Sequence, residues 1–203
     1  MGRITITTFV SLDGIAQGPG GPEEDRSGGF DRGGWSVPFG DEDFGTFVTG
    51  VFEHASAFLL GRRTYDIFAG YWPEHDDETD PIPNKLNRLP KYVASSTLTA
   101  PTWQGTTVLA PDDLAGRVAR LRAETDDELQ VHGSLGLAQW LLANALVDEH
   151  HVLTFPVVVG AGRRLFADGA PATAMQLSNL SSTAAGVVIA SYRPTGPAQF
   201  GSY

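Results

Sequence analysis

Three short stretches combine residue types suited to gripping a phosphorylated ligand. In "LLGRRT", Gly61 permits close backbone approach, Arg62 and Arg63 supply charge, and Thr64 opens a helix-like run. In "YVASSTL", Ser95, Ser96 and Thr97 offer hydroxyl donors directly after an apolar stretch. In "VHGSLGLAQ", a Gly133 turn leads into Ser134, Leu135 and Gly136 at the start of another helical run. Helix N-termini expose unpaired amides at the positive end of the helix dipole, and an arginine fork makes charge-assisted bonds to phosphate. Each stretch alone is ordinary loop or capping chemistry. Together they fit a ligand with several phosphates, such as a nicotinamide dinucleotide carrying a 2′-phosphate. Such a ligand needs a fork for its monophosphate and a helix N-terminus for its pyrophosphate.

The elements around these stretches alternate. Residues 3–10 read as a strand, 41–55 as a helix opened by acids, 56–61 as a short buried strand and 63–72 as a helix stopped by Gly70 and Pro73. Residues 74–90 are polar and proline-broken, hence loop with room for one helical turn. Strands follow at 91–98 and 106–110, then an amphipathic helix capped by Asp112 or Asp113. A strand at 128–133, a helix capped by Ser134, a long strand at 149–160 and a closing hairpin that turns near Ala184–Gly186 complete the chain. This order predicts one α/β domain over residues 1–203, a mostly parallel central sheet with helices on both faces and a C-terminal antiparallel hairpin. In such sheets ligands bind beyond the carboxyl ends of the strands, where all three stretches fall. The glycine-rich segment 17–36 suits either a loop over that site or a disordered insertion.

The chain has 203 residues and a formal net charge of −10. That charge disfavours nucleic acid and anionic membrane as partners, since both are bound chiefly through Lys and Arg. No apolar run approaches the ~18 residues of a membrane span. The absence of cysteine removes disulfides and thiolate chemistry and fits a cytoplasmic setting. The five histidines show no H-x-x-x-H spacing, so no metal is expected.

The stretches "TFVSLDGIAQG", "LLGRRTYDIF", "KYVASSTL", "VHGSLGLAQWLL" and "LVDEHHVLTFPVVVGAGRRLF" keep an order that resembles the dihydrofolate reductase-like superfamily. They are most similar to stand-alone relatives of the C-terminal reductase domain of the bifunctional riboflavin-biosynthesis deaminase/reductase. The resemblance spans about residues 3–168 and implies NADPH as cofactor and a homodimer. It implies contacts to the 2′-phosphate region from Arg62 and Thr64, with Gly61 and Arg63 beside them, and to the adenosine side from Ser95 and Ser96. The pyrophosphate falls to Gly133, Ser134, Leu135 and Gly136. Where the family commonly has a further glycine, this chain has His132. A ribose-phosphate substrate would need a second basic cluster, and outside 62–63 the paired arginines are Arg163 and Arg164.

The chemistry this implies is hydride transfer to a small heteroaromatic of pteridine or pyrimidine type, or to an imine. Asp13 and Glu149 are the candidate proton relay or substrate anchor. Trp35, Phe39 and Tyr65, with Phe68, Tyr71 and Trp72, are candidate walls for a flat substrate, and Gly160 and Gly162 candidate points of close backbone approach. Two other readings stay open. One is a noncatalytic nucleotide-binding or sensor protein on the same fold. The other is a serine hydrolase using Ser134 with His150 or His151 as base, because "VHGSLG" resembles a nucleophile elbow.

Overall fold

A computed structural model describes residues 2–202. Its centre is an eight-stranded sheet with strands β1 (Arg3–Ser11), β2 (Ala55–Gly61), β3 (Lys91–Ala94), β4 (Thr106–Leu109), β5 (Glu128–His132), β6 (Glu149–Phe155), β7 (Thr173–Ser182) and β8 (Val188–Pro197). The spatial order is β4-β3-β2-β5-β1-β6-β8-β7. Strands β4 to β6 are mutually parallel, while β8 runs antiparallel to β6 and β7 antiparallel to β8. The expected parallel sheet with an antiparallel edge is thus observed.

Five helices complete the alternation: α1 (Glu42–Glu53), α2 (Arg62–Ala69), α3 (Pro81–Arg88), α4 (Leu114–Glu124) and α5 (Leu135–Ala143). From β1 to β4 the chain steps outward in one direction, and from β4 through β5 to β6 it steps back. Crossovers of constant right hand then put α1 and α3 on one face and α4 and α5 on the other. The core divides the same way. Ile4, Ile6, Leu59, Val118, Leu137 and Leu141 pack beneath α4 and α5, whereas Phe52, Phe58, Leu60 and Leu86 pack beneath α1 and α3. Because both faces are covered, the threonine side of β1 is buried as well as its isoleucine side: Thr5 and Thr7 lie inside, and so does Thr8 on the face of Ile4 and Ile6.

Three local expectations are corrected. Residues 81–88 form a helix rather than loop: Asp80 accepts the Ile82 amide at 2.9 Å, and Pro81 stands at the first helical position, where its missing N–H costs nothing. Asp113 sits at the start of α4 in a left-handed conformation with no capping bond, and pairs instead with Arg120 at 3.4 Å. Ser134, at the start of α5, also makes no cap.

The glycine-rich segment is ordered. Phe30 and Trp35 plug it into a cluster with Ile15 and Phe155. Gln17 donates to the carbonyls of Asp25 and Ser27 at 3.1 and 2.9 Å, and the Trp35 indole donates to the Gln17 carbonyl at 2.8 Å. Gly33 packs so tightly that a Cβ there would fall 2.4 Å from the Gly21 carbonyl oxygen.

Leu59 lies at the centre of β2 with no exposed surface. Leu59→Ala should cost about 2–5 kcal/mol through lost burial and a residual cavity. Urea unfolding would register a lower midpoint at an unchanged slope.

Candidate functional site

Between β2 and β5 the chain's outward and return paths diverge. Helix α2 leaves the carboxyl end of β2 on one face of the sheet, and α5 leaves the neighbouring end of β5 on the other. This is the place where parallel α/β sheets open a crevice. The two junctions are tied by reciprocal hydrogen bonds. The Gly61 amide donates to Ser134 Oγ at 3.0 Å, and the Ser134 amide donates to Thr64 Oγ1 at 3.1 Å. Gly133 and Ser134 are both left-handed, with φ of 60° and 54°. For serine that conformation costs of order 1 kcal/mol or more, which the two bonds offset. The N-cap of α2 is Gly61, which has no side chain, and the Ser134 hydroxyl at the start of α5 is taken by the Gly61 amide, so neither helix is capped by its own N-cap side chain. Two helix N-termini therefore stand side by side with amides free to meet an anion.

They open on a cleft of about 1500 Å³ that is lined by Gly61–Thr64, His132–Leu137, the loop segment Gln17–Asp25 and the pair Arg163–Arg164. Arg62 is braced by Asp66, which accepts from Nε at 2.8 and 2.9 Å, while Nη1 donates to Thr97 Oγ1 at 3.3 Å. Arg63 lies 3.8 Å from Asp25, and Arg163 pairs with the same carboxylate. Burial pushes the Asp25 carboxyl up, but the Ser27 bonds and the Arg163 charge prevail and hold it below the usual range. The opposite wall is apolar: Phe9 at the end of β1, Phe44, Val48 and Phe52 on α1, and Phe68 on α2.

The structure brings together Gly61, Arg62, Arg63, Thr64, Gly133, Ser134, Leu135 and Gly136. Ser95 and Ser96 follow β3 outside the cleft lining and reach it only through the Arg62–Thr97 bond; the Ser95 hydroxyl is taken up by the amides of Thr97 and Leu98 at 3.1 and 3.0 Å. Phe68, Tyr71 and Trp72 do line the cleft.

The other candidate residues lie outside the cleft lining. Asp13 bonds Ser11 Oγ at 2.6 Å and the amides of Val159 and Gly160 at 3.0 and 2.7 Å, and these bonds lower its pKa to about 2. These bonds tie the first loop to residues 159–160 and hold Asp13 outside the cleft lining. Glu149 sits at the amino end of β6, remote from the cleft edge. There it meets Arg3 at 3.3 Å, Ser178 at 2.6 Å and Arg193 at 3.4 Å. Trp35 and Phe39 belong to the core around Phe155, and the buried Tyr65 directs its hydroxyl to the amides of Thr102 and Trp103. Gly160 and Gly162 turn the chain at positive φ away from the cleft; a Cβ at Gly162 would meet Phe30 at 2.8 Å. The hydrolase reading named His150 or His151 as base, but His150 Nε2 meets Thr8 Oγ1 at 3.1 Å, His151 Nδ1 meets Ser191 Oγ at 2.7 Å, and neither lines the cleft, where the Ser134 hydroxyl accepts from the Gly61 amide.

Sequence reasoning missed the part played by the wall of α1, whose Phe44, Val48 and Phe52 stripe reads equally well as core. It also missed the loop carboxylate of Asp25. The adjacency of Arg163 and Arg164 was the available signal for a second cationic side.

Because the Asp13 carboxyl is lowered from 3.8 to about 2, its contribution is present above pH ~4 and is lost as pH falls toward 2. Asp13→Asn should lower the melting temperature by ~2–4 °C at pH 7, about 1 kcal/mol for solvent-screened bonds in a chain of this size. Melting curves of both proteins should converge near pH 2.

Comparison with known proteins agrees with this architecture. The model of the family "RibD C-terminal domain" matches residues 3–189. The Bacillus subtilis (strain 168) protein "Uncharacterized protein YyaP" is 26% identical over 196 residues, 96% of each chain. Among solved structures, the proposed riboflavin biosynthesis protein of Shewanella sp. PV-4 superposes with a TM-score of 0.70 at 21% identity, over 95% of this chain and 99% of that one. The deaminase/5-amino-6-(5-phosphoribosylamino)uracil reductase of Thermotoga maritima gives 0.61 at 13% identity, over 95% of this chain and 56% of that one. With its dihydrofolate reductase-like sheet and a family match over nearly its whole length, the chain belongs to the RibD C-terminal (reductase) domain family.

Proposed function

We propose that this protein is an NADPH-dependent reductase that transfers a hydride to a small pteridine- or pyrimidine-like heteroaromatic or to an imine. The observation that carries this reading is the pair of uncapped helix N-termini tied at Gly61 and Ser134, with Arg62 and Arg63 on the same cleft. The residues present fit such a cofactor. Gly136 has open space where a Cβ would stand, and Gly133 meets nothing nearer than Thr64 Oγ1 at 3.9 Å, so backbone amides can approach a pyrophosphate. The cleft is also long enough to join that cradle to an apolar wall.

When bound, the cofactor supplies the hydride. The chain's own residues bind and orient. The amides at the starts of α2 and α5 would hold the pyrophosphate, and Arg62, fixed by Asp66, would meet the 2′-phosphate at the rim beside Ser95 and Ser96. Phe9, Phe44 and Phe52 would exclude water from a flat substrate. The Thermotoga maritima relative's pyrimidine-type reductase activity supports this substrate class. Arg163 and Arg164 give the cleft a second cationic side, suited to an anionic substituent on the substrate. The same reading makes the chain a homodimer, supported by the exposed Leu177 and Leu180 on the edge strand β7.

Replacing Arg62 and Arg63 together by alanine should weaken NADPH roughly tenfold to a hundredfold while changing NADH little, the equivalent of ~1.5–3 kcal/mol of charge-assisted bonding. Calorimetric titration of both nucleotides into wild type and the double variant measures this directly. Equal losses for the two nucleotides would sink the reading. Oxidation of NADPH by dihydropterin, pyrimidine or imine panels distinguishes an enzyme from a sensor.

A further inference from the structure

The floor of the cleft holds a group that phosphate binding does not use. His132, the last residue of β5, lines the cleft, and its ring stacks on Phe52 of α1 at 4.5 Å with 16° between planes. Its Nε2 lies 3.0 Å from Gln130 Oε1. Which ring nitrogen carries the hydrogen follows from the partners behind it. The Gln130 amide nitrogen donates to the Val51 carbonyl at 2.6 Å and to Glu128 Oε2 at 2.8 Å, both acceptors. Glu128 is held in place by Arg3 at 2.6 Å and by the Thr5 hydroxyl at 3.0 Å. The amide orientation of Gln130 is thereby fixed, so its Oε1 can only accept. His132 Nε2 must donate, and Nδ1 carries the lone pair.

The ring that carries this lone pair is among those lining the cleft. Among the described residues, the side-chain atoms sealed from solvent without a partner are Thr106 Oγ1 and His150 Nδ1. His132 is not among them, and the hydrogen bond its ring makes is the one from Nε2 to Gln130, so Nδ1 is left over on a ring that lines the cleft. Burial keeps the imidazole neutral by lowering its pKa to about 3. The result is a fixed, uncharged acceptor at the base of an otherwise aromatic wall.

We infer that His132 determines substrate specificity by accepting, at Nδ1, a hydrogen bond from a ring N–H of a flat nitrogen heterocycle packed along Phe9, Phe44 and Phe52. The inference rests on the reading of this cleft as a reductase site and adds the group that reads the substrate. A pocket that supplies one oriented acceptor rejects a ring lacking the matching donor, because the acceptor is then dehydrated without a partner. The ladder Arg3–Glu128–Gln130 acts through His132 and holds its tautomer; those residues position and do not touch the ligand.

The test compares 5,6-diaminouracil with 5,6-diamino-1,3-dimethyluracil, in which the ring N–H donors are methylated. Each is titrated by calorimetry into the full chain with and without NADPH. Wild type should prefer the unmethylated ring by about tenfold or more. His132→Phe, which keeps the stack and removes the acceptor, should bind both within about threefold of each other, with NADPH affinity unchanged. His132→Gln, whose amide can both donate to Gln130 and accept from the ligand, should retain the preference. His132→Leu serves as the apolar variant if phenylalanine does not fold. An undiminished preference in the apolar variant, no preference in wild type, or no binding of either ring by wild type overturns the inference. A wild type that fails to bind NADPH yet shows the His132-dependent preference overturns the reductase reading alone.

Discussion

The exchange of hydrogen bonds between the β2–α2 and β5–α5 junctions is the constraint on which the rest of the site depends. Ser134 Oγ accepts from the Gly61 amide and the Ser134 amide donates to Thr64 Oγ1, so the two loops cannot move apart without leaving polar groups unpaired. The arrangement has a structural price in the left-handed Ser134 and a functional consequence in two uncapped helices. On the proposed reading, an approaching anion would meet two helix dipoles and the Arg62–Arg63 pair at once. A protein of net charge −10 can thus favour an anionic ligand through local fields that bulk charge does not reveal.

Sheet topology makes that exchange possible. Residues 61 and 134 are distant in sequence, yet the return of the chain to insert β5 between β2 and β1 brings them together. The same insertion aligns Thr7 with His132 and runs the polar series Arg3, Glu128, Gln130 and His132 from the amino edge of the sheet to the floor of the cleft. Most buried polar groups find a partner, and here the orientations of Glu128, Gln130 and His132 are each set by the member behind. The loop 17–36 contributes from the outside. Its Asp25 bridges Arg63 and Arg163, and its Phe30 and Trp35 sink into the core beneath Phe155.

What was legible in the amino-acid sequence was whatever is written in contiguous residues. Apolar runs such as "FLLG" and their helical sequels mark strand ends, so the class of sheet and the strand-to-helix turns at 61–64 and 133–136 could be read directly. Helix α3 was hidden because Pro81 and Pro83 look like breakers, although proline in a first turn is compatible with a helix. Asp13 and Glu149 looked like available acids because local sequence does not disclose partners. Asp13 is held by amides some 146 and 147 residues away, and Glu149 by Arg3 across the sheet. Trp35 and Tyr65 suggested substrate walls for the same reason. Nor could spacing distinguish which face of α1 covers core and which lines the cleft, since both are apolar.

The central claim, that the tied helix starts form a pyrophosphate cradle, is tested most directly by a crystal structure of the protein grown with NADPH. The account predicts pyrophosphate oxygens within hydrogen-bond distance of backbone amides at the starts of α2 and α5, with the Gly61–Ser134 bond intact. Phosphates found against any other surface, or a cofactor seated with its pyrophosphate away from residues 133–136, would contradict it.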